Sequence, residues 1–206
     1  MKVGKAWLVS CAFAALLFAM TGTTFAQTDT IASVKQKGKL VVGVKADYKP
    51  FGYTDPSGKI VGLEIDLAND VAKRLGVQVE LVPVIAANRM EFVKQGRIDL
   101  MIATMAYKPD RAEVIGIPQP YYYAGAANVF AKKNSGLKQW ADYAMVLPSI
   151  DPEPWGVGVR KDDTKFTAYM SDVIKDWHKT GYLLEVEKKW GIPQSPYLVE
   201  QHDKYK

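Results

Sequence analysis

Residues Asp99-Leu-Met-Ile-Ala-Thr-Met-Ala-Tyr-Lys-Pro-Asp-Arg111 decide the fold. The apolar run at the start has the length of a strand that is buried on both faces. Pro109 then favours the first turn of a helix, because its missing N–H needs no partner there. Arg111 follows in that turn, where the positive end of the helix dipole disfavours a cation. Two interpretations stay open: Arg111 pairs with Asp110 or Glu113, or it holds an anion together with free backbone N–H groups.

The segments before this stretch alternate between strand-length apolar runs and amphipathic runs that end at glycine. Short links between them predict an α/β fold with a mainly parallel sheet. The predicted elements are a helix at Thr30–Lys37 capped by Thr30, a strand at Leu40–Val44, a hairpin around Asp55–Gly58, a helix capped by Asp66 and ending at Gly76, a strand at Val77–Val82, a helix capped by Asn88 and ending at Gly96, and a strand at Ile98–Ala103. Ligands bind beyond the carboxyl ends of parallel strands, so the loops after Val44, Val82 and Ala103 should share one rim.

The second half of the chain changes character after Pro118, where aromatic and extended segments begin. Its clearest helix is predicted over Thr164–Lys179, because apolar residues recur there at helical spacing. Gly181 separates this helix from a last one at Tyr182–Trp190, and the tail beyond Pro193 is polar.

The N-terminus has the pattern of a cleavable secretory signal peptide at residues 1–26. Lys2 and Lys5 precede an apolar core, Leu8–Met20, and Thr24-Phe25-Ala26 offers a small-x-small cleavage site. The apolar core is too short for a transmembrane helix. The sequence therefore predicts export to the periplasm.

Charge and cysteine content exclude several classes of function. The formal net charge of +5 falls to +3 without Lys2 and Lys5, and the remaining lysines are scattered, so nucleic acid is not an expected partner. Cys11 is the only cysteine and lies in the signal peptide, so the exported chain offers neither a thiol nucleophile nor a cysteine metal cluster. The two histidines are His178, predicted on an exposed helix face, and His202 in the tail. No metal, cofactor or catalytic residue is predicted.

The pattern around the other polar and aromatic residues favours structural roles for some of them and a ligand-facing role for others. Glu64 and Asp66 stand at a strand-to-helix junction, which favours capping and dipole complementarity over acid–base chemistry. Tyr48 and Phe51 lie in a loop after a buried strand, where aromatic rings often point into a ligand crevice. The tyrosines at 121–123 are predicted to pack and to line a hinge.

Several stretches match one family. Gly62-Leu-Glu-Ile-Asp-Leu67 resembles the signature of polar amino-acid-binding proteins of bacterial ABC importers, relatives of which include glutamine- and histidine-binding proteins. The resemblance continues in Leu40–Phe51, Asp99–Arg111, Trp155–Lys161 and Gly181–Gly191, and so covers essentially the whole exported chain. It implies the type II periplasmic-binding-protein fold, in which two α/β lobes joined by two hinge strands close around one amino acid.

The same resemblance assigns roles to individual residues. Arg111 would hold the α-carboxylate of the ligand, and backbone groups of Thr104 and Ala106 would bind its carboxylate or ammonium. Tyr48 would stack on the ligand side chain, beside Phe51 in the aromatic loop. Ala86 is a small rim residue that leaves room for that side chain. The implied partners are an L-amino acid and an ABC permease in the inner membrane.

The chain departs from the family between the two hinge segments. Residues 27–125 and 162–206 match lobe one, whereas residues 126–161 contain only the hinge strands, Ala126–Lys132 and Trp155–Lys161, and a truncated lobe two. A family member carries a whole second domain there. The missing part includes the aspartate that takes the α-ammonium, for which Asp151 and Glu153 are the remaining candidates. The pattern indicates an internal deletion.

Three functional hypotheses result. The first is a substrate-binding protein of an amino-acid ABC importer without enzymatic activity, in a shortened and weakly binding form. The second is a periplasmic cyclohexadienyl (prephenate or arogenate) dehydratase on the same fold, which would need an acidic residue in its cleft. The third is a non-functional remnant. Fold alone does not choose among them.

Overall fold

The computed structural model describes residues 29–125, 130–132, 143–145 and 152–206 of the 206-residue chain. The predicted signal peptide at residues 1–26 lies outside the described residues, as do Asp151 and most of the segment between the predicted hinge strands. Within the described ranges, no helix combines the length and apolar character needed to cross a membrane.

Helices and strands alternate through the first half of the described chain. The elements are α1 (Thr30–Lys37), β1 (Lys39–Val44), β2 (Asp47–Tyr48), β3 (Gly52–Thr54), β4 (Ile60–Val61), α2 (Leu63–Leu75), β5 (Gln78–Pro83), α3 (Arg89–Lys94), β6 (Leu100–Ile102), α4 (Pro109–Val114), β7 (Tyr122–Gly125), β8 (Phe130–Lys132), β9 (Tyr143–Met145), β10 (Pro152–Trp155), α5 (Thr164–Thr180), α6 (Tyr182–Lys189) and α7 (Pro196–Tyr205).

A parallel sheet in the order β5-β1-β6 forms the centre of the fold and confirms the α/β prediction. Val44 at the end of β1 lies opposite Pro83 on one side and Ile102 on the other. The three strands therefore end at the same level, and the loops that follow them open at one rim, as the sequence predicts.

Both faces of this sheet are covered, because alternate residues of its strands enter two separate apolar cores. Val42 and Leu100 join the larger core, which also contains the fully buried Trp177 of α5. Met101 joins the smaller core together with Val93 of α3. The near-continuous apolar runs of β1 and β6 follow from this two-sided burial.

The predicted hairpin is confirmed. Strands β3 and β4 pair antiparallel, with Tyr53 opposite Val61, and β2 adds to the other edge of β3. Asp55 stabilises the turn, because its Oδ1 accepts the backbone N–H groups of Ser57 and Lys59 at 2.8 and 3.0 Å. This small sheet leads directly into α2.

Two antiparallel pairs lie in the second half of the chain. Strand β7 pairs with β10, and β8 pairs with β9. After β10, Gly158 bridges Met101 and Val159 bridges Gly116, so part of the predicted second hinge segment packs beside β6. The assignment of residues 27–125 and 162–206 to lobe one, and of residues 126–161 to the hinges and a truncated lobe two, stays a prediction.

The predicted cap of α1 is wrong. Asp29 is the N-cap, and its side chain accepts the N–H of Ala32 at 3.0 Å. Thr30 is the first helical residue and is buried, with its Oγ1 accepting a hydrogen bond from Arg160 at 2.6 Å. A carboxylate one residue earlier thus takes the role that the sequence assigned to the threonine.

The predicted cap of α2 is also wrong. The helix begins at Leu63 after Gly62, so Asp66 lies inside the first turn. Its carboxylate accepts hydrogen bonds from Lys189 Nζ and Trp190 Nε1, both at 2.7 Å. The side chain therefore ties α2 to the end of α6 instead of capping a helix.

His178 is buried and not exposed as predicted. The polar tail forms α7, which buries Leu198 and packs its Tyr197 and Tyr205 rings within 5.7 and 6.0 Å of the imidazole. Burial lowers the pKa of His178 to about 4, although the Pro120 carbonyl acts in the opposite direction. The tail thus contributes a packed helix that its polarity did not predict.

Gly62 allows the chain to pass close to Phe51 before α2 begins. Its φ is +141°, and a Cβ there would lie 2.2 Å from the Phe51 carbonyl oxygen, whereas a Cβ at Gly38, where φ is +67°, would meet no atom within 4 Å. We expect Gly38→Ala to cost about 1 kcal/mol of unfolding free energy, the left-handed penalty alone, and Gly62→Ala to cost clearly more. Urea unfolding measures both, and equal losses would contradict the close approach.

Candidate functional site

Arg111 lies at the rim, in the first half of the short helix α4, and is half-buried. Its Nη1 donates to the Ala106 carbonyl at 2.8 Å. Neither Asp110 nor Glu113, nor any other described carboxylate, forms an ion pair with it. The ion-pair interpretation from the sequence is therefore not what the described structure shows. Because α4 has only six residues, the positive charge at this place is that of the guanidinium and not of a helix dipole.

The segment between β6 and α4 carries the other two predicted backbone contacts. Thr104 has φ +46°, a left-handed conformation that is rare for a β-branched residue. Its N–H, which the resemblance assigns to the ligand, donates to Glu64 Oε1 at 2.6 Å. The Ala106 N–H makes no hydrogen bond with any described residue and lies beside the carbonyl that Arg111 contacts.

Glu64 is fully buried, and the sequence missed this role. Besides the Thr104 N–H, its Oε1 accepts a hydrogen bond from the Tyr121 hydroxyl, while Oε2 has no partner among the described residues. Burial raises the pKa of Glu64 to about 7, against the effect of these hydrogen bonds and of the charges of Arg89 and Lys45. An acid placed between two apolar neighbours in a helix's first turn was the available signal.

Arg89 is the second residue that the sequence missed. It is 7% exposed, and its Nη1 donates to the carbonyls of Ala103 and Thr104 at 2.5 and 3.2 Å. Burial, and then the charge of Arg111, lower the pKa of Arg89. The two guanidinium groups therefore produce a positive potential at this end of the sheet. No periodic pattern around Arg89 predicts its burial.

The aromatic residues of the predicted ligand loop form one cluster. The Tyr48 ring stacks on Phe51 at 5.8 Å and is 49% exposed. Phe51 meets Trp155 edge-on at 4.8 Å and Tyr122 at 5.7 Å. Trp155 in turn donates to Glu153 Oε2 at 3.0 Å. Tyr48 is thus a supported ring that remains half-exposed to solvent.

Ala86 lies in the loop between β5 and α3 and is exposed. The neighbouring Ile85 is 54% exposed, and its N–H donates to the Asn88 side chain at 2.9 Å, so this asparagine holds the loop and not the helix end. The structure brings Arg111, Thr104 and Ala106 together and joins Tyr48 with Phe51. Ala86 shares the rim on the neighbouring loop.

Two surface grooves along α6 are separate from this rim. Three of their carboxylates are already engaged: Asp66 by Lys189, Asp70 by Arg74, and Glu187 by the Tyr122 hydroxyl. Among the described residues, no three His, Cys, Asp or Glu side chains converge as metal ligands.

The pKa of Glu64 makes stability depend on pH. Its value rises from 4.5 to about 7 on folding, so the stabilisation by the bound proton is complete below pH 4.5 and is lost as the pH rises through 7. We expect the unfolding free energy of the wild type to fall by about 3 kcal/mol relative to Glu64→Gln between pH 4 and pH 8. Denaturant titrations at several pH values measure this difference.

His178 also makes stability depend on pH, but its effect does not disturb the comparison. Its lowered pKa makes stability fall as the pH drops below 6.5, the opposite direction, but it is present in both proteins and cancels in the difference. A constant difference between wild type and E64Q across the pH range would contradict the assigned pKa of Glu64.

Comparison with curated proteins gives relatives that bind amino acids. The L-cystine-binding protein TcyJ of Escherichia coli (strain K12) is 29% identical over 140 residues, which cover 68% of this chain and 53% of TcyJ. The glutamine-binding protein of Geobacillus stearothermophilus is 36% identical over 123 residues, which cover 58% of this chain and 47% of the relative. The chain spans about half the length of the curated relatives it matches.

A solved structure of a single domain is also similar. It is described as the arginine-bound form of domain 1 from TmArgBP, is 28% identical and has a TM-score of 0.54. The match covers 70% of this chain and 97% of that domain. The family model of bacterial extracellular solute-binding proteins, family 3, matches residues 40–193. The chain belongs to this family of bacterial extracellular solute-binding proteins.

Proposed function

We propose that the chain is an extracytoplasmic substrate-binding protein of an amino-acid ABC importer and that it binds an L-amino acid through the α-carboxylate. The observation that carries this proposal is Arg111, a half-buried guanidinium at the rim without a carboxylate partner among the described residues. The family and the amino-acid-binding relatives support the ligand class.

The chemistry of the rim suits a carboxylate. Arg111 uses Nη1 for the Ala106 carbonyl, which leaves the other guanidinium N–H groups for two oxygens of a ligand in a forked arrangement. The Ala106 N–H is a further donor beside it. The buried charge of Arg89 adds to the positive potential without reaching into the rim itself.

Tyr48 and Ala86 form the proposed walls for the ligand side chain. Phe51 supports the Tyr48 ring by stacking on it, and the exposed part of the ring can stack on an aliphatic or planar side chain. Ala86 is small and exposed on the neighbouring loop. Thr104 is proposed to act by orienting this segment, because its N–H is already bound to Glu64.

We propose weak binding, because one lobe covers a ligand from one side only. Asp151 lies outside the described residues, and Glu153 already accepts the Trp155 N–H, so Glu153 is proposed as a partial partner of the ligand ammonium. Losing one charge-assisted partner costs roughly 1.5–3 kcal/mol, or about ten- to hundredfold in affinity. The single-domain structure with bound arginine supports ligand binding by one lobe in this family.

The other two hypotheses have less support. A dehydratase needs an acid that reaches its substrate, whereas Glu64 is fully buried and bonded to Thr104 and Tyr121. Both curated relatives are named as binding proteins. A non-functional remnant is the outcome that an absence of ligand binding would indicate. Export to the periplasm and delivery to an inner-membrane permease complete the proposal.

Removal of the guanidinium is the direct test of the binding residue. We expect Arg111→Ala to abolish the rise in melting temperature that L-arginine, L-glutamine or L-cystine causes in the wild type. The matched control is Arg97→Ala, because Arg97 is an exposed arginine that packs on Phe92 at the opposite end of β6. Ligand-induced shifts that survive in R111A would exclude Arg111 as the carboxylate ligand.

Affinity and mass in solution test the one-lobe proposal. We expect calorimetry to give dissociation constants weaker than about 1 μM, the affinity that corresponds to −8.2 kcal/mol, with the protein monomeric by light scattering. Submicromolar binding by a monomer would contradict the one-lobe site. Submicromolar binding by a dimer would indicate that a second copy supplies the missing wall.

A further inference from the structure

A buried carboxyl group and a buried guanidinium group, from two different helices, hold the backbone of Thr104. Glu64 of α2 accepts the Thr104 N–H at 2.6 Å, and Arg89 of α3 donates to the Thr104 carbonyl at 3.2 Å. The same Arg89 nitrogen also reaches the Ala103 carbonyl at 2.5 Å. Both polar backbone groups of Thr104 are therefore bound by ionisable side chains of opposite kind.

Thr104 needs such support because of its conformation. It is the non-glycine residue with positive φ in the described part of the chain, at +46°. A β-branched residue in the left-handed region persists only where the surrounding structure holds it. Without these contacts, the segment would shift to other backbone conformations.

The direction in which Thr104 turns the chain decides the geometry of the proposed ligand site. Ala106 follows two residues later, and its carbonyl accepts the Arg111 Nη1 at 2.8 Å. The Ala106 N–H and the Arg111 guanidinium therefore take their positions from the conformation at Thr104. A change there would displace both donors together.

Charge attraction connects the two sides of this arrangement. The groups that face Glu64 are the Thr104 N–H, the Tyr121 hydroxyl, Arg89 and Lys45, and all four favour its ionised form, against the effect of burial. Glu64 is completely buried and Arg89 is 7% exposed. Each charge thus has partners inside the protein, and Glu64 presents no surface to a ligand.

We propose that Glu64 and Arg89 are positioning residues, which hold residues 103–106 in the conformation that presents Ala106 and Arg111 to the ligand carboxylate. They act through the backbone of Thr104, and Glu64 does not touch the ligand. This inference rests on the proposed function, because it names what positions the same site.

Four substitutions separate hydrogen-bond geometry from charge. Glu64→Ala deletes the acceptor, whereas Glu64→Gln removes the charge but keeps an Oε1 that can accept from Thr104 and Tyr121. Arg89→Lys keeps the charge but is one bond shorter and lacks the planar guanidinium. Asp163→Asn is the matched control, because Asp163 is also a buried carboxylate that accepts backbone N–H groups, those of Thr30 and Phe166.

Two measurements are made on each variant, in the form of the chain without the predicted signal peptide. Calorimetry gives the dissociation constants of L-arginine, L-glutamine and L-cystine. Amide hydrogen exchange in the free protein reports the protection of the Thr104 N–H. We expect E64A and R89K to weaken binding about ten- to hundredfold, because a strained residue without support depopulates the competent conformer. The Thr104 amide should lose protection in E64A.

The conservative variant and the control complete the expected pattern. E64Q should recover most of the affinity lost in E64A and should keep the Thr104 amide protected. D163N should lower stability without changing affinity or the exchange of Thr104. Equal weakening by E64Q and E64A would overturn the positioning role in favour of a direct charge effect, as would wild-type affinity in R89K.

Failure of the proposed function gives a different result. If the wild type binds none of the three probes, the binding function is wrong, while the exchange data still decide whether Glu64 holds Thr104. An unchanged Thr104 exchange rate in E64A overturns the positioning role whether or not ligands bind. If E64A does not fold, E64Q and R89K decide by the same two measurements.

Discussion

Parallel pairing of β1 with both β5 and β6 is the constraint on which the rest of the structure depends. Its register aligns Val44 with Pro83 and Ile102, so the loops after three strands open at one level. The segment after β1 carries Tyr48 in β2, the loop after β5 carries Ala86, and the loop after β6 carries Thr104. Because parallel strands direct all their carboxyl ends the same way, these segments share a rim although they are far apart in the sequence.

Charge placement at this rim follows from that alignment. Arg89 at the start of α3 and Glu64 in the first turn of α2 meet on the segment that leaves β6. Burying such charges is costly unless hydrogen bonds satisfy them, and here backbone groups of Ala103 and Thr104 do so. Arg111 is half-buried at this rim and has no described counter-ion, which is why an anionic ligand fits the proposed function.

Local sequence features predicted the local structure well. Gly38, Gly76 and Gly181 end α1, α2 and α5 in left-handed conformations, because glycine carries no Cβ penalty there. The hairpin at Asp55 also follows from a few adjacent residues. Two predicted caps were wrong: Asp29 takes the place of Thr30 at α1, and Asp66 lies inside the first turn of α2, where it binds Lys189 of a helix far away in sequence.

The sequence by itself determined the parallel α/β class and the shared rim, because periodicity and turn chemistry act over short distances, and its resemblance to a known family pointed to the aromatic loop and to Arg111 as candidates for the ligand site. Only the tertiary structure decided that Glu64 and Arg89 are buried and hold Thr104. The physical reason is that the hydrogen bond between Thr104 and Glu64 joins residues 40 positions apart. Such a contact exists only once α2 and β6 have packed, and no local pattern in either segment encodes it.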